Sequence, residues 1–236
     1  LCALPDAFVR EAQARCEREM GIPADHVIIA CTHTHLGPNT RQSMIGEMNP
    51  RFMQSVQDAI VGTVGRAIAD LQECLVWAGA GYVEQMGFNR RGMHSDGSCD
   101  MYYGSWNEDF AGLEGPRDGQ VPVLFATRPN GRLKVVVPNF STHPNAVEGE
   151  SFYSADLVGA VRSHIRRIYG RGVGVVYLTG AAGNTAPTNL EKSREEVSDW
   201  RGERGLLRSG RYLGSEIVKV IESTLKPMET PALGLA

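Results

Sequence analysis

His33 and His35 form a His-x-His pair in the block Thr32-His33-Thr34-His35. Neutral imidazole is a common zinc ligand. In extended backbone, alternate side chains share a face, so the two rings could turn toward one ion. The same pair also reads as two polar turn residues bonded to backbone, since Gly37-Pro38 bends the chain just beyond it. A third imidazole, His143, follows an apolar run in Phe140-Ser141-Thr142-His143-Pro144. Catalytic zinc normally takes three protein ligands and keeps one position open for water. A carboxylate often completes such a set, and no acidic residue stands out by position. Asn89-Arg90-Arg91 offers guanidinium forks of the kind that hold oxyanions, or a plain basic surface pair. His26, His94 and His164 have no such context.

Two other His-x-His architectures fit poorly. Metallo-β-lactamase-type sites need Asp-His two positions after the second His, where this chain has Gly37 and Pro38. Amidohydrolase barrels need an unbroken βα rhythm, which the Asn130-Gly131 hairpin signal interrupts.

These residues must be positioned by regular elements, and the sequence patterns predict them. Ala7 to Met20 reads as a helix, started by Pro5-Asp6 and stopped by Gly21-Ile22-Pro23. His26 to Thr32 is a short continuous apolar run, which predicts a strand buried on both faces. Apolar residues from Phe52 to Ile68 recur at helical spacing within a second helix over Pro50 to Leu71. Leu75 to Val83 reads as a strand. Val121 to Thr127 and Leu133 to Val137 read as a hairpin about Arg128-Pro129-Asn130-Gly131. Helices follow at Ala155 to Tyr169 and Arg211 to Leu225, with a buried strand at Val173 to Leu178 between them. Gly87 to Gly115 is rich in Gly, Asn, Ser and Asp and reads as one long functional loop or as a disordered stretch. The fold class is therefore α/β, a mixed sheet flanked by helices. Three strand exits carry unusual sequence: Thr32 to Pro38, Ser141 to Pro144 and Thr179 to Pro187. Sites in such sheets form at the carboxyl ends of strands.

Net charge is -3, so neither nucleic acid nor an anionic membrane surface is indicated as partner. The basic cluster from Arg201 to Arg211 has acids interleaved and reads as a solvated helix face. Five cysteines without regular spacing make no disulfide framework and no Cys-x-x-Cys zinc knuckle. Reduced thiols weakly favour a cytoplasmic setting. No apolar run reaches the length of a membrane span. The chain opens on Leu1 with no initiator Met, and Pro231 to Ala236 reads as the start of a new segment. This reads as one incomplete domain over 1–236, cut at both ends, with room for a signal segment upstream.

Taken together, the blocks resemble the neutral ceramidase superfamily. Thr32-His33-Thr34-His35-x-Gly37-Pro38, Asn89-Arg90, Asn139-Phe140-x-x-His143-Pro144 and Gly183-Asn184-Thr185-Ala186-Pro187 occur in its order and rough spacing. Gly21-Ile22-Pro23 and Ser154-Ala155-Asp156 extend the match, which runs from about Leu1 to Leu225. The resemblance implies a Zn2+-dependent amidase acting on a small-molecule or lipid-like N-acyl substrate. It implies His33 and His143 as zinc ligands, with a further Glu and Tyr ligand falling C-terminal to this chain. It implies His35 beside the substrate oxygen or the zinc-bound water, and Arg90 lining the pocket. Gly183, Asn184 and Ala186 would form the substrate loop. Here the chain departs from the family, which has Gly-Asp-x-Ser-Pro-Asn; Asn184 replaces the Asp and Ala186 the Ser. The departure keeps zinc hydrolase chemistry on an amide or ester but separates it from ceramide itself. It also leaves open a degenerate member that binds metal or ligand without turnover.

Overall fold

A computed structural model describes residues 1–41 and 46–231. The C-terminal stretch where the sequence suggested a new segment lies, from 232 onward, outside the described residues.

The amino-terminal third is helical. Helix α1 spans Asp6–Met20, and Gly21 closes it in a left-handed conformation with its N–H on the Glu17 carbonyl. A short 3-10 turn covers Ala24–His26. Helix α2 spans Pro50–Ala69, with the Asn49 side chain accepting from the Arg51 and Phe52 N–H groups and Pro50 at its first position. The two helices pack on each other around Cys16, Val27 and Val61, joined by Met20, Ile22, Ile29 and Val64.

A separate, larger core sits on the sheet. Its strands are β1 (Leu75–Tyr82), then, after the four short strands β2 to β5 described below, β6 (Gln120–Thr127), β7 (Leu133–Phe140), β8 (Gly174–Val175) and β9 (Leu178–Thr179). The order is β1-β6-β7-β8, with β9 also on β7. The first two pairings are antiparallel, and β7 runs parallel to both β8 and β9. The sheet is thus mixed. Val121, Val123 and Phe125 alternate along β6 toward the covered face, joined by Val136 and Phe140 of β7. Helices α3 (Asp156–Tyr169) and α5 (Gly202–Ser223) lie on that face and contribute Leu157, Val161, Ile165, Leu213 and Ile217, all at the core. Each such side chain stabilises by roughly 1.5–3 kcal/mol when fully buried. The helices touch closely because Gly210 faces Ala160, where an added Cβ would come within 2.3 Å of the Ala160 Cβ. The short helix α4, Arg194–Ser198, starts on a capping box between Ser193 and Glu196. No helix among the described residues is long and apolar enough to cross a membrane.

Three expectations need correction. The run from His26 to Thr32 joins no ladder, and Ile28 in its middle is 67% exposed. The sheet edge beside it explains this. There the expected Val173–Leu178 strand breaks into the two-residue pieces β8 and β9, so it offers no regular backbone to pair with. The contact that remains is a Thr179 hydroxyl donating to the Thr32 carbonyl, 3.4 Å. The stretch from Gly87 to Gly115 is not structureless. It holds β2 (Phe88–Asn89), β3 (Arg91–His94), β4 (Cys99–Met101) and β5 (Phe110–Leu113), with β3 central in a three-stranded antiparallel sheet. Finally, the last helix begins nine residues before Arg211, at Gly202.

Candidate metal centre

Two of the three strand exits leave the sheet in parallel, from β7 and β9, and the Thr32–Pro38 turn folds over them. His143 lies three residues past the end of β7 and is 4% exposed. Its N–H donates to the Thr185 carbonyl at 3.1 Å, and its ring Nδ1 lies 2.5 Å from the Ala182 carbonyl. The loop after β9 therefore grips both backbone and ring. Burial holds the His143 imidazole below its ordinary pKa, and the nearby charges of Arg90, His33 and His35 push the same way. Near neutral pH it is uncharged, the form that ligates metal.

His33 reaches the site by a turn rather than by strand alternation. Its φ is 59°, in the left-handed region, which costs a non-glycine residue of order 1–3 kcal/mol. Its N–H donates to the Leu1 carbonyl and its Nδ1 to the Cys2 carbonyl, both at 2.9 Å. The extended-backbone argument for convergence is thus replaced by a strained bend pinned to residues 1 and 2. The outcome is the same: His33 Nε2 stands 3.2 Å from His143 Nε2, although the residues are 110 positions apart.

A carbonyl oxygen only accepts, so Nδ1 carries the proton on both rings. With both rings neutral, the two Nε2 atoms would turn their lone pairs toward one another. Two nitrogens bound to one zinc at about 2.0–2.1 Å and a tetrahedral angle would stand about 3.3 Å apart. The pair has the spacing, the tautomer and the carbonyl support expected of metal-ligating histidines.

His35 completes a triangle of rings, with centroids 5.2 Å from His33 and 5.3 Å from His143. Its Nδ1 lies 2.5 Å from Glu148 Oε1, and the other oxygen of Glu148 accepts from Asn145 Nδ2 at 3.0 Å. Burial alone would raise the Glu148 pKa. The bonds from His35 and Asn145 and the charge of Arg201 outweigh it and keep the group below its ordinary value. Glu148 is therefore an acceptor, His35 Nδ1 its donor, and His35 Nε2 has no hydrogen-bond partner among the described residues.

Asp156 builds the loop that carries His143 and Glu148. It is 2% exposed, has φ 46°, and accepts from the N–H groups of Ala146 (3.1 Å), Val147 (3.2 Å) and Leu157 (2.6 Å). Thr34 is tied to the same region, donating to the Ser154 carbonyl at 2.7 Å, while Ser154 N–H returns to Leu36 at 2.8 Å.

Arg90 follows β2 and faces the loop after β9. Its Nη2 donates to the Gly183 carbonyl at 2.8 Å, its N–H to the Asn184 carbonyl at 2.8 Å, and its Nη1 reaches the Tyr102 hydroxyl at 3.4 Å. The structure thus gathers Arg90, Gly183 and Asn184 next to Ala182, the residue that holds the His143 ring. Ala186 behaves differently. It pairs with Phe88 in the bridge between β2 and β10 (Thr185–Ala186) and is 1% exposed, so its methyl group packs inside. His94 and His164 lie elsewhere, against Asp100 and Asp109 and against Ser215.

Sequence reasoning missed Glu148, Asn145, Tyr102 and Cys2, and singled out Asp156 only within the Ser154-Ala155-Asp156 block. Glu148 had one usable signal, an acid five positions after a candidate ligand. Cys2 had none. Its Sγ lies 3.6 Å from His33 Nδ1, and donor atoms of Cys2, His33 and His35 all lie within 4.8 Å of one another.

No family model matches the chain. The neutral ceramidase of Pseudomonas aeruginosa is 27% identical over 173 residues, covering 69% of this chain and 24% of that protein. A crystal structure of neutral ceramidase from the same organism superposes with a TM-score of 0.75 at 22% identity, over 96% of this chain and 36% of the other. A ceramidase complexed with C2 gives 0.75 at 21% identity, with the same coverage. The chain therefore spans a quarter to about a third of the relatives it matches, and it shares their α/β fold with a mixed sheet flanked by helices. Its sequence and structural neighbours are neutral ceramidases at low identity.

Proposed function

We propose that this chain carries part of the catalytic centre of a zinc-dependent hydrolase that cleaves an amide (N-acyl) or ester bond. The observation that carries the reading is the pair of Nε2 atoms on His33 and His143, 3.2 Å apart, each on a ring whose Nδ1 is bonded to a carbonyl. Two lone pairs held this close repel unless a cation lies between them. Those two residues would hold zinc, which when bound lowers the pKa of water to about 7 and polarises a carbonyl.

The protein's own groups supply the rest. His35 Nε2 is a free proton acceptor, and Glu148 on the opposite nitrogen stabilises the ring once it is charged. The charged ring can then donate from Nε2 to a developing oxyanion. Arg90 donates from Nη2 to the Gly183 carbonyl and from Nη1 to the Tyr102 hydroxyl, while its buried Nε has no partner among the described residues; it shapes the 183–184 loop and lends its charge to an oxyanion. The substrate is a small-molecule or lipid-like amide. Asn184 and the internal Ala186, which replace the Asp and Ser of the ceramidase pattern, argue against ceramide itself.

The same two residues favour a second reading, a binding protein without turnover. Both readings are tested with the complete chain. His33→Ala and His143→Ala are expected to lose metal and all hydrolysis of short N-acyl amides and esters. Unchanged metal content in both variants would refute the zinc reading. Metal uptake by the parent chain with no turnover would establish the second.

A further inference from the structure

We infer that Tyr102 is a positioning residue of the centre, acting through the side chain of Asn145 to hold the Glu148 carboxylate on His35. This rests on the reading of His35 and Glu148 as the pair that moves the proton, and it adds the part of the chain that keeps the pair aligned.

Glu148 cannot align itself. Its side chain is 36% exposed, and a long side chain in water loses rotamer entropy when held in one geometry. One of its oxygens meets His35, so the angle of the carboxylate depends on what holds the other. That oxygen accepts from Asn145 Nδ2 at 3.0 Å. Asn145 is itself buried, and its amide nitrogen carries two N–H groups. The second reaches the Tyr102 hydroxyl at 2.6 Å. The carboxylate fixes the direction of both bonds. The amide must turn its nitrogen rather than its oxygen toward Glu148, so the hydroxyl that shares this nitrogen accepts. Tyr102 thereby sets the rotation of the amide, and the amide sets the carboxylate.

Tyr102 is held in a backbone conformation that a bulky residue rarely adopts. Its φ is 59°, in the left-handed region, and such strain collects where function requires it. It is the first residue after β4, and its N–H donates to the Arg90 carbonyl at 2.7 Å. Two guanidinium groups stand by its ring, Arg201 at 5.0 Å and Arg90 at 5.9 Å from the centroid. The bend is thus paired with contacts that fix the ring, and the hydroxyl arrives at Asn145 from 43 positions away. The small sheet of β3, β4 and β5 reaches the metal centre through this one side chain.

A mutant cycle on the complete, zinc-loaded chain tests this, with short N-acyl amides and esters as substrates. Tyr102→Phe keeps the ring and removes the acceptor. It is expected to lower kcat about tenfold, the scale of lost support residues, with KM and zinc content at the parent level. In a Glu148→Gln background the same change should cost nothing further, because the charge it positions is gone. Tyr103→Phe, which takes the neighbouring hydroxyl from Asp109, should keep the parent kcat. Circular dichroism checks folding, and Asn145→Ser breaks the same chain of contacts if Tyr102→Phe does not fold. Parent kcat in Tyr102→Phe, losses that multiply in the double variant, or an equal loss in Tyr103→Phe would each overturn the inference and leave the hydrolase reading standing. A parent chain that holds zinc without turnover would overturn both.

Discussion

At the scale of single residues, the centre is organised by what holds each imidazole from behind. His33 leans on the Cys2 carbonyl, His143 on the Ala182 carbonyl and His35 on Glu148. The last differs in kind, since a carboxylate favours a charged ring far more than a carbonyl does. This sets apart the residues that would hold metal from the one that would move protons. Glu148→Gln keeps the shape and removes the charge. It is expected to lower hydrolysis by about 10–100-fold while zinc content stays at the parent level. Zinc analysis beside kcat measurements checks it, and a parallel loss of zinc would make Glu148 part of the metal site instead. None of this was visible in the sequence. His33, His35, His143 and Arg90 were nominated by type and by resemblance, whereas Glu148 and Cys2 matter because of whom they meet across 113 and 31 positions.

At the scale of elements, legibility followed locality. α1, α2 and the β6–β7 hairpin depend on spacing, caps and an Asn-Gly turn within a few residues, and the sequence predicts all of them. The run from His26 to Thr32 was misread because an apolar stretch becomes a strand only if a neighbour offers a ladder. The small sheet of β3, β4 and β5 was hidden for a related reason. Its strands are three to four residues long, and a polar cluster joins them. His94 Nδ1 meets Asp109 at 2.9 Å and Nε2 meets Asp100 at 3.1 Å, while Tyr103 stacks on the ring and its hydroxyl donates to Asp109. Hydrogen bonds to the carboxylates of Asp109 and Asp100 raise the His94 pKa. Bonds from Tyr103 and His94 lower that of Asp109. The signs follow. The His94 contribution is full below the unfolded histidine pKa of about 6.5 and is lost as pH rises through its raised folded value. The Asp109 contribution is full above the unfolded carboxylate pKa and is lost as pH falls through its lowered one. The small sheet is therefore expected to be most protected between these limits. Amide exchange over residues 91–113 against pH measures this. Asp109→Asn should bring the His94 midpoint in an NMR titration back toward about 6.5; a midpoint that stays raised would show that Asp109 does not set it.

At the scale of the whole molecule, two cores are present, one between α1 and α2 and one between the sheet and α3 with α5. The overall class, helices flanking a mixed sheet, was readable because amphipathic helices and hairpins alternate along the chain. The division between cores was not, since helix faces do not say which surface they seek. His33 belongs to the segment that leaves the smaller core, and His143 to the exit of the larger one. Their rings meet where the two bodies adjoin. The smaller core has few buried side chains, and such regions open at lower free energy than the global transition. In a urea titration of the metal-loaded chain, metal release to a chelating dye is expected to precede the loss of far-ultraviolet signal from the main sheet and α5. Coincident transitions would show one cooperative unit instead. The 3.2 Å gap between His33 and His143 thus acts as a clasp across a seam. A chain that gains metal fastens its halves, and a chain strained along that seam lets its chemistry go before its architecture.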